Sequence, residues 1–571
     1  MGRFGQFGQL IKKEFMGYSE QDVRHDLLSG LTVAAVSLPL ALAYGIASGM
    51  TPASGLVTAI LAGIITGLIG GTSYQMSGPT GAMSAVLLVI LHRTGLAGVW
   101  TATLIGGALL ILMGLLRFGR YVVFIPTPVI TGFTAGIAVI IAVGQIDPAL
   151  GILTPPADTS LLKISEYLVN KPNPNFYALI ITGATISIIW VIQRWIPKIP
   201  NALIAMLIMT GISWGLGWPV NTIGELPATI LLAEHLTING IPWAQMSDII
   251  SAGVSIAALA AIESLMTGTA GAAMSGRLFD ADQELIAQGS ANMIVPWFGG
   301  VPSSAAISRT AVAIRSGGRT RITSIVHSLV LLVCVFFLSQ LIAYVPLASL
   351  AGVLLWTAWH MIDWATIGRY THMRIKHALI GVVVTTMATA ALDLTEAILI
   401  GLAVSAIIHL RLEAEAATVS VVPVDPSRIP SAQFTDACPG VRVAYISGAL
   451  FFGNAAAMRT ALHQERDCHT LILSMRGVPM IDVMGGEVLR QLIHEFQSRN
   501  GQVLLAGLQP AVRSMLERLH IVSLVGDSNI FWDAAVAIQH VHDRIAVTGC
   551  QGCIACPVMS AGDTKTHPPA E

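Results

Sequence analysis

Gly78, Pro79, Thr80 and Gly81 stand together inside one of the most apolar stretches of the chain, where a continuous helix would be expected. Residues 301–318, "VPSSAAISRTAVAIRSGG", repeat the theme and add an arginine, Arg309. Proline lacks an N–H and fixes φ, so neither stretch makes a good helix interior. Backbone that leaves the helix at membrane depth is tolerated only where protein or a watery cavity supplies its hydrogen bonds. Each break precedes residues that form good helix, so the expectation is an extended stretch leading into the N-terminus of a half-helix. Such an end offers unpaired N–H groups and about +0.5 of an elementary charge. Two ends facing each other make a site for an anion. The competing account is a pair of ordinary kinks, since Gly and Pro are frequent in membrane helices. The matching positions of the breaks and the arginine favour the anion site. Arg309 falls about one turn into its half-helix, whereas Arg315, Arg319 and Arg321 occupy the end where topology explains them.

Glu263, in "AALAAIESLMTGTAG", is the other expensive residue. A carboxylate at the centre of a membrane helix costs about 2.5–3.5 kcal/mol on insertion scales and usually marks an ion or proton path. Thr267 lies four residues on, on the same face. The pair could bind Na⁺, Glu263 alone could carry a proton, or the carboxylate could hydrogen-bond a neighbouring half-helix. His327, His360, His372 and His377 have no metal-ligand spacing. Cys550, Cys553 and Cys556 fall one ligand short of a usual structural zinc set and read as incidental thiols in a tail. No metal or cofactor is expected. With no HExxH, P-loop or nucleophile elbow, the chain does not read as an enzyme.

The elements that position these residues are membrane helices. Of 571 residues, 54% are hydrophobic and 11% charged, against about 25% charged in soluble domains. Apolar runs of about 20 residues recur between Leu27 and His409, long enough to cross a bilayer. The formal net charge of −1 gives no electrostatic case for nucleic acid. The N-terminus, with Lys12, Lys13 and Glu14, lacks a signal-peptide core and reads as an amphipathic lead-in. About twelve clear spans and the two broken segments make about fourteen. The broken ones come third and tenth, as corresponding segments of an inverted repeat would, so their helices run in opposite directions. Lys and Arg in short loops mark the cytoplasmic side. With the N-terminus inside, Arg117, Arg120, Arg194, Lys198, Arg277, Arg319 and Arg374 all fall inside too. Trp100, Trp195, Trp243, Trp297, Trp356 and Trp364 fall near span ends, as an aromatic belt would.

Beyond the membrane region the pattern changes. Short apolar runs ("VRVAYIS", "TLILSM", "QVLLAGL") alternate with amphipathic helical stretches, which suggests an α/β domain with a small mixed sheet. The expected organisation is a cytoplasmic N-terminal segment (1–29), a transmembrane transport domain (30–412), a linker (413–439), the α/β domain (440–548) and a flexible tail (549–571).

The run "GLTVAAVSLPLALAYGIASGMTPASGLVTAILAG", with "SGPTGAMS", "AAIESL" and "AAISRTAVAIRSGGRT", resembles the SulP anion transporters, bacterial relatives of pendrin and prestin. The C-terminal region is similar to the STAS domain. The resemblance implies an α-helical polytopic membrane protein with fourteen segments in two inverted repeats of seven. These form core and gate domains with elevator-like movement of the core, and a cytoplasmic STAS-like domain follows. By resemblance the anion lies beside Tyr44, Thr80, Gly81, Ile307, Ser308 and Arg309. The coupling ion then sits at Glu263 and Thr267. Family members are commonly homodimers. Several positions depart from the family pattern. Leu40 stands where several relatives carry glutamine, and Val57 where many have tyrosine. Ile307 replaces a threonine of the sodium site in a bicarbonate-carrying member, which favours protons over sodium. "MIDVMGG" keeps Asp482 and Gly485, but Met484 has no hydroxyl where stand-alone STAS proteins carry a phosphorylated serine.

The expected function is secondary active anion transport, by proton coupling or anion exchange, in the inner (cytoplasmic) membrane, multi-pass with N-terminus and STAS domain cytoplasmic. Sulfate comes first by resemblance. Bicarbonate, coupled to sodium or protons, and C4-dicarboxylates are the alternatives. A reading of another class is a membrane-anchored STAS scaffold or sensor. The expected partners are the anion, a proton or sodium ion, the lipid bilayer, a second copy of the chain and a cytoplasmic partner of the STAS domain.

Overall fold

The structure is a computed structural model that describes residues 3–124, 126–152, 154, 163–167, 173–196, 199–392, 394–425, 438–463 and 468–548. Lys198 and the Cys550, Cys553 and Cys556 run lie outside the described residues. The chain divides into two units, Met1–Ser405 and Ala406–Glu571.

The first unit is helical. A short amphipathic helix, α1 (Arg3–Glu14), leads to α2 (Glu20–Ala47) and α3 (Pro52–Ile69). Ser19 and Asp22 close a capping box on α2, and Thr51 with Pro52 starts α3. Pro39 is carried inside α2 without ending it. The polypeptide next runs extended through β1 (Ser77–Gly78) into α4 (Gly81–Leu115), which is interrupted at Gly95 (φ 71°, ψ −178°). The half-helix expected after Gly78 is thus the first part of a longer element broken at a glycine. A group of shorter helices follows: α5 (Thr127–Gly144), α6 (Ile146–Leu150), α7 (Phe176–Trp195) and α8 (Asn201–Gly215).

The second broken region repeats the sequence of elements. Helix α9 (Met246–Ser275) and α10 (Ala281–Ile294) precede β2 (Ser304–Ala305) and α11 (Ile307–Arg315). Four more helices follow: α12 (Ile322–Ile342), α13 (Leu347–Met361), the short α14 (Trp364–His372) and α15 (Lys376–Ala391). Helix α16 (Leu394–Ala416) leads on toward the second unit. Among the described residues, 7 helices are long and apolar enough to cross a membrane by length and composition. Helix α4 packs on α9 and α10, and α2 packs on α3 and α12. Gly55 lets α3 close tightly on α2, because a Cβ there would lie 1.9 Å from the Ala41 carbonyl oxygen.

The second unit holds a five-stranded sheet, in order β3 (Thr418–Pro423), β4 (Val441–Ser447), β5 (Thr470–Gly477), β6 (Gln502–Ala506) and β7 (Ile530–Phe531). β3 is antiparallel to β4 and the remaining pairs are parallel. Alternation divides the core in two. Leu471, Leu473 and Leu505 face the helices that follow β5 and β6, whereas Ile472, Leu504 and Ala506 face Ala537, Ile538 and Val541 of the last helix. The expected small mixed sheet is present, and its edge strand begins inside the stretch anticipated as linker: residues 418–423 are rich in β-branched side chains and pair with β4.

Candidate functional site

The two broken segments meet. β1 and β2 pair antiparallel, Ser77 opposite Ala305 and Gly78 opposite Ser304, and Ala306 N–H donates to the Met76 carbonyl at 3.0 Å. Each strand runs within three residues into a helix, α4 at Gly81 and α11 at Ile307. Thr80 is the N-cap of α4, accepting from Met83 N–H at 3.4 Å.

Glu263 joins the two starts. Its Oε2 accepts the Thr80 hydroxyl at 2.8 Å and the hydroxyl of Ser304, and those two hydroxyl oxygens lie 3.0 Å apart. One turn on, the Thr267 hydroxyl bonds the Ala305 carbonyl at 3.4 Å, while Ser264 Oγ accepts Ala305 N–H at 3.1 Å. One face of α9 therefore presents a carboxylate and two hydroxyls to the crossing point. Such an oxygen cluster suits a proton or a hard cation.

Arg309 lies on the first turn of α11 and is 1% exposed. Its Nη2 donates to the Pro79 carbonyl at 2.8 Å, and its Nη1 has no hydrogen-bond partner among the described residues. Gly78, at φ +155°, makes room for it, since a Cβ there would meet Arg309 Nη1 at 2.7 Å and the Ala59 Cα at 3.2 Å. Tyr44 is buried against the other start: the Ser84 hydroxyl donates to its carbonyl at 3.0 Å. A Cβ on Gly81 would touch the Tyr44 ring at 3.2 Å, with Ile141 and Met361 alongside. Ile307 and Ser308 are exposed on the first turn of α11, and the Ser308 side chain makes no hydrogen bond among the described residues.

The structure thus brings Thr80, Glu263 and Thr267 into one cluster, sets Arg309 behind the Pro79 carbonyl, and puts Tyr44 against Gly81. Sequence reasoning missed what holds the crossing in place. Glu284 Oε2 accepts Gly71 N–H at 3.0 Å, and Gln288 Nε2 donates to Ser77 Oγ at 2.6 Å. Asn292 clamps Ser303 from both sides, accepting its N–H at 2.6 Å and donating to its carbonyl at 2.9 Å. Met76 N–H donates to the Thr310 hydroxyl at 3.0 Å. Glu284, Gln288 and Asn292 recur every four residues on one face of α10, a polar stripe on a helix whose other buried residues are small or apolar. That spacing was a visible signal. Trp100 also departs from expectation: it is 5% exposed and donates to the Gly300 carbonyl at 3.1 Å rather than standing in an aromatic belt. Trp195 and Trp243 are exposed as such a belt requires. No histidine, cysteine or acidic group with metal-site geometry occurs among the described residues.

In the C-terminal unit Asp482 caps α17 (Val483–Ser498), accepting Gly485 N–H at 2.8 Å and Phe452 N–H at 2.9 Å. Met484 is exposed on its first turn.

Interrupted helices meeting around a buried arginine and a carboxylate, followed by an α/β domain, define a polytopic membrane transporter rather than an enzyme. Comparison with known proteins gives the family. The sulfate permease family pattern matches residues 23–388 and the STAS domain pattern residues 431–537. The chain is 32% identical over 528 residues to the putative sulfate transporter YvdB of Bacillus subtilis, covering 90% of this chain and 97% of that protein. It is 31% identical over 529 residues to the bicarbonate transporter BicA of a Picosynechococcus species, covering 88% of this chain and 92% of that one. The solved transmembrane domain of a cyanobacterial BicA superposes with a TM-score of 0.59 at 30% identity, over 68% of this chain and 98% of that domain. The solved structure of SLC26A9 superposes with a TM-score of 0.82 at 18% identity, over 95% of this chain and 94% of that one, and shares the fold. The protein belongs to the sulfate permease (SulP) family of anion transporters and carries a C-terminal STAS domain.

Proposed function

We propose that the protein is a secondary active anion transporter that carries sulfate, coupled to protons or by exchange, through elevator-like movement of its core. The observation that carries this reading is Arg309 Nη1, a buried guanidinium nitrogen left unpartnered beside two helix starts. A buried charge with an unused donor calls for an anion, and the N–H groups at the starts of α4 and α11 add partial positive charge around it. Tyr44, Thr80, Gly81, Ile307 and Ser308 lie at or beside those starts, and we assign them to the anion site. Glu263 and Thr267 are assigned to the coupling ion. Glu263 is tied by hydroxyls to both starts, so adding or removing its proton changes how tightly the starts are held together. That links the coupling ion to the anion without contact between them.

The antiparallel register of β1 and β2, each running into a helix, supports two inverted repeats of seven segments within a fourteen-segment fold. We place the N-terminus and the STAS domain on the cytoplasmic side of the inner membrane, following the basic loops, and expect a homodimer. Methionine at position 484 argues for a STAS role in assembly or partner contact rather than phosphorylation.

Bicarbonate is the second reading. It is favoured by the identity to BicA and by the oxygen cluster at Glu263, Thr267 and the Ala305 carbonyl, while the apolar Ile307 weighs against sodium.

The test is uptake of labelled sulfate by proteoliposomes under an inward proton gradient, with unlabelled bicarbonate and succinate as competitors. Wild-type uptake should be gradient-driven, and Glu263→Gln and Arg309→Ala should each lower it by at least about tenfold, a loss of about 1.4 kcal/mol in transition-state stabilisation. A stronger competitor would rename the substrate. Uptake indifferent to both substitutions overturns the site, and folded protein that moves none of the three anions returns the chain to the scaffold reading.

A further inference from the structure

A cavity of about 520 Å³ is lined by none of the residues assigned to the crossing point. Its walls come from the end of α1, the turn before α2, the loop between α3 and β1, the end of α9 and the loop after α11. The volume lies in the range of small-molecule sites. Its side chains include three cations, Lys13, Arg277 and Arg319, and two carboxylates, Glu14 and Asp22.

The carboxylates are already engaged. Asp22 takes Arg319 and the Ser19 hydroxyl, and Glu14 takes Arg321 at 2.9 Å. Asp26, just beyond the wall, is saturated by Tyr18, the Thr320 N–H and hydroxyl, and Thr323. What remains is positive. The Lys13 ammonium pairs with no carboxylate among the described residues. Arg277 does not either, and spends one N–H on the Gly318 carbonyl at 3.1 Å. The Ser73 hydroxyl, also in the wall, makes no hydrogen bond among the described residues. Two cations and a hydroxyl around a polar cavity match a phosphate group, which a guanidinium can take bidentately.

The rim says where that phosphate comes from. Met16 and Leu278 in the wall are 69% and 61% exposed, and Leu27 and Leu31, about two and three turns along α2, are 49% and 53% exposed. A charged pocket opening onto an apolar helix face fits a headgroup with its acyl chains beside α2. By the basic-loop orientation this is the cytoplasmic surface.

We infer that this cavity binds the phosphate of an acidic phospholipid, held by Lys13, Arg277 and Ser73. Because Lys13 stands on α1 and Arg277 just past the end of α9, a bound headgroup fastens the N-terminal segment to the helix that carries Glu263. The site is distinct from the transport site and does not depend on which anion is carried.

The experiment uses the full-length protein, delipidated and reconstituted in phosphatidylcholine nanodiscs with graded phosphatidylglycerol. Retained lipid is counted by native mass spectrometry and melting is followed in parallel. Wild type should retain phosphatidylglycerol over phosphatidylcholine and melt higher as its fraction rises. Lys13→Gln should weaken this severalfold, and Lys13→Gln with Arg277→Gln at least tenfold, while Lys12→Gln, on an exposed cation outside the wall, should match wild type. Lys13 makes no fold contact that Arg277 makes, so the single variant separates binding from misfolding. A second arm adds inorganic phosphate or glycerol 3-phosphate without acidic lipid. Protection there, lost in the double variant, keeps the phosphate site and names a soluble occupant. Equal retention by wild type and Lys13→Gln, or no preference for acidic lipid or phosphate over phosphatidylcholine, overturns the inference.

Discussion

Two sheets occur among the described residues, and they are held in opposite ways. In the C-terminal unit five strands satisfy one another through ladders, and the side chains buried on both faces are almost all apolar. In the membrane unit the sheet is two residues by two, too short to satisfy its own flanks. There the neighbouring helices supply the missing partners as side chains: Asn292 for Ser303, Thr310 for Met76, Ser264 for Ala305 and Glu284 for Gly71. The reason is solvent. A soluble sheet can leave its ends to water, whereas irregular backbone at membrane depth must find every partner within the protein. The polar residues buried around the crossing are therefore the scaffold of the proposed anion site as much as its chemistry.

Removing one of these partners should have the largest effect. Asn292→Leu strands both polar groups of Ser303, at about 1–3 kcal/mol for each unsatisfied group. The purified protein should melt well below wild type and lose anion uptake. Melting within a degree of wild type would break the comparison, because the crossing would then not depend on side-chain partners.

Gly78→Ala should come next. It forces a Cβ into Arg309 at a positive φ, at roughly 1–3 kcal/mol of local strain. Anion uptake should fall far more than melting temperature does, since the displaced group is the arginine and not the core.

The matching substitution in the other sheet should be milder. Asp482→Ala removes the cap of α17 at about 1 kcal/mol and should lower the stability of the C-terminal unit with little change in uptake. Hydrogen exchange along Thr470–Gly477 would register the loss.

The smallest effect is one of pH. His469 sits partly buried, with Nδ1 against the Thr470 hydroxyl at 2.8 Å. Burial, and then the charge of Arg544, hold its pKa below the ordinary histidine value. The unfolded chain therefore takes up the proton first as pH falls. Stability from the neutral ring is complete above about pH 6.5 and is lost as pH drops through the lower folded value. Protection factors along Thr470–Gly477, corrected for the intrinsic exchange rate at each pH, should fall between pH 7 and pH 5, and His469→Gln should flatten that dependence.

Much of this was legible in the chain itself. The breaks at Gly78 and at residues 301–306 announce themselves because proline and glycine interrupt long apolar runs, and Glu263 does so because charge is rare there. The alternation of short apolar runs and amphipathic stretches announces the α/β unit. Other features were less accessible. Ser304 looked like any serine in a broken stretch, yet its hydroxyl meets Glu263. Trp100 looked interfacial until Gly300 came within reach of its N–H. Residues 418–423 read as linker because an edge strand has no signature apart from the partner it pairs with.

The division follows from the range of the forces. Hydropathy, helix breaking and the cost of intramembrane charge act within a segment, so sequence alone determined a polytopic transporter with two interrupted helices, an acidic and a basic residue near them, and a separate α/β domain. Which hydroxyl meets which carboxylate, and which asparagine clamps which backbone, depends on residues hundreds of positions apart in the chain, as with Thr80 and Glu263. Only packing the helices side by side decided those contacts, because a hydrogen bond reaches about 3 Å and carries no trace in the spacing of either partner's own segment.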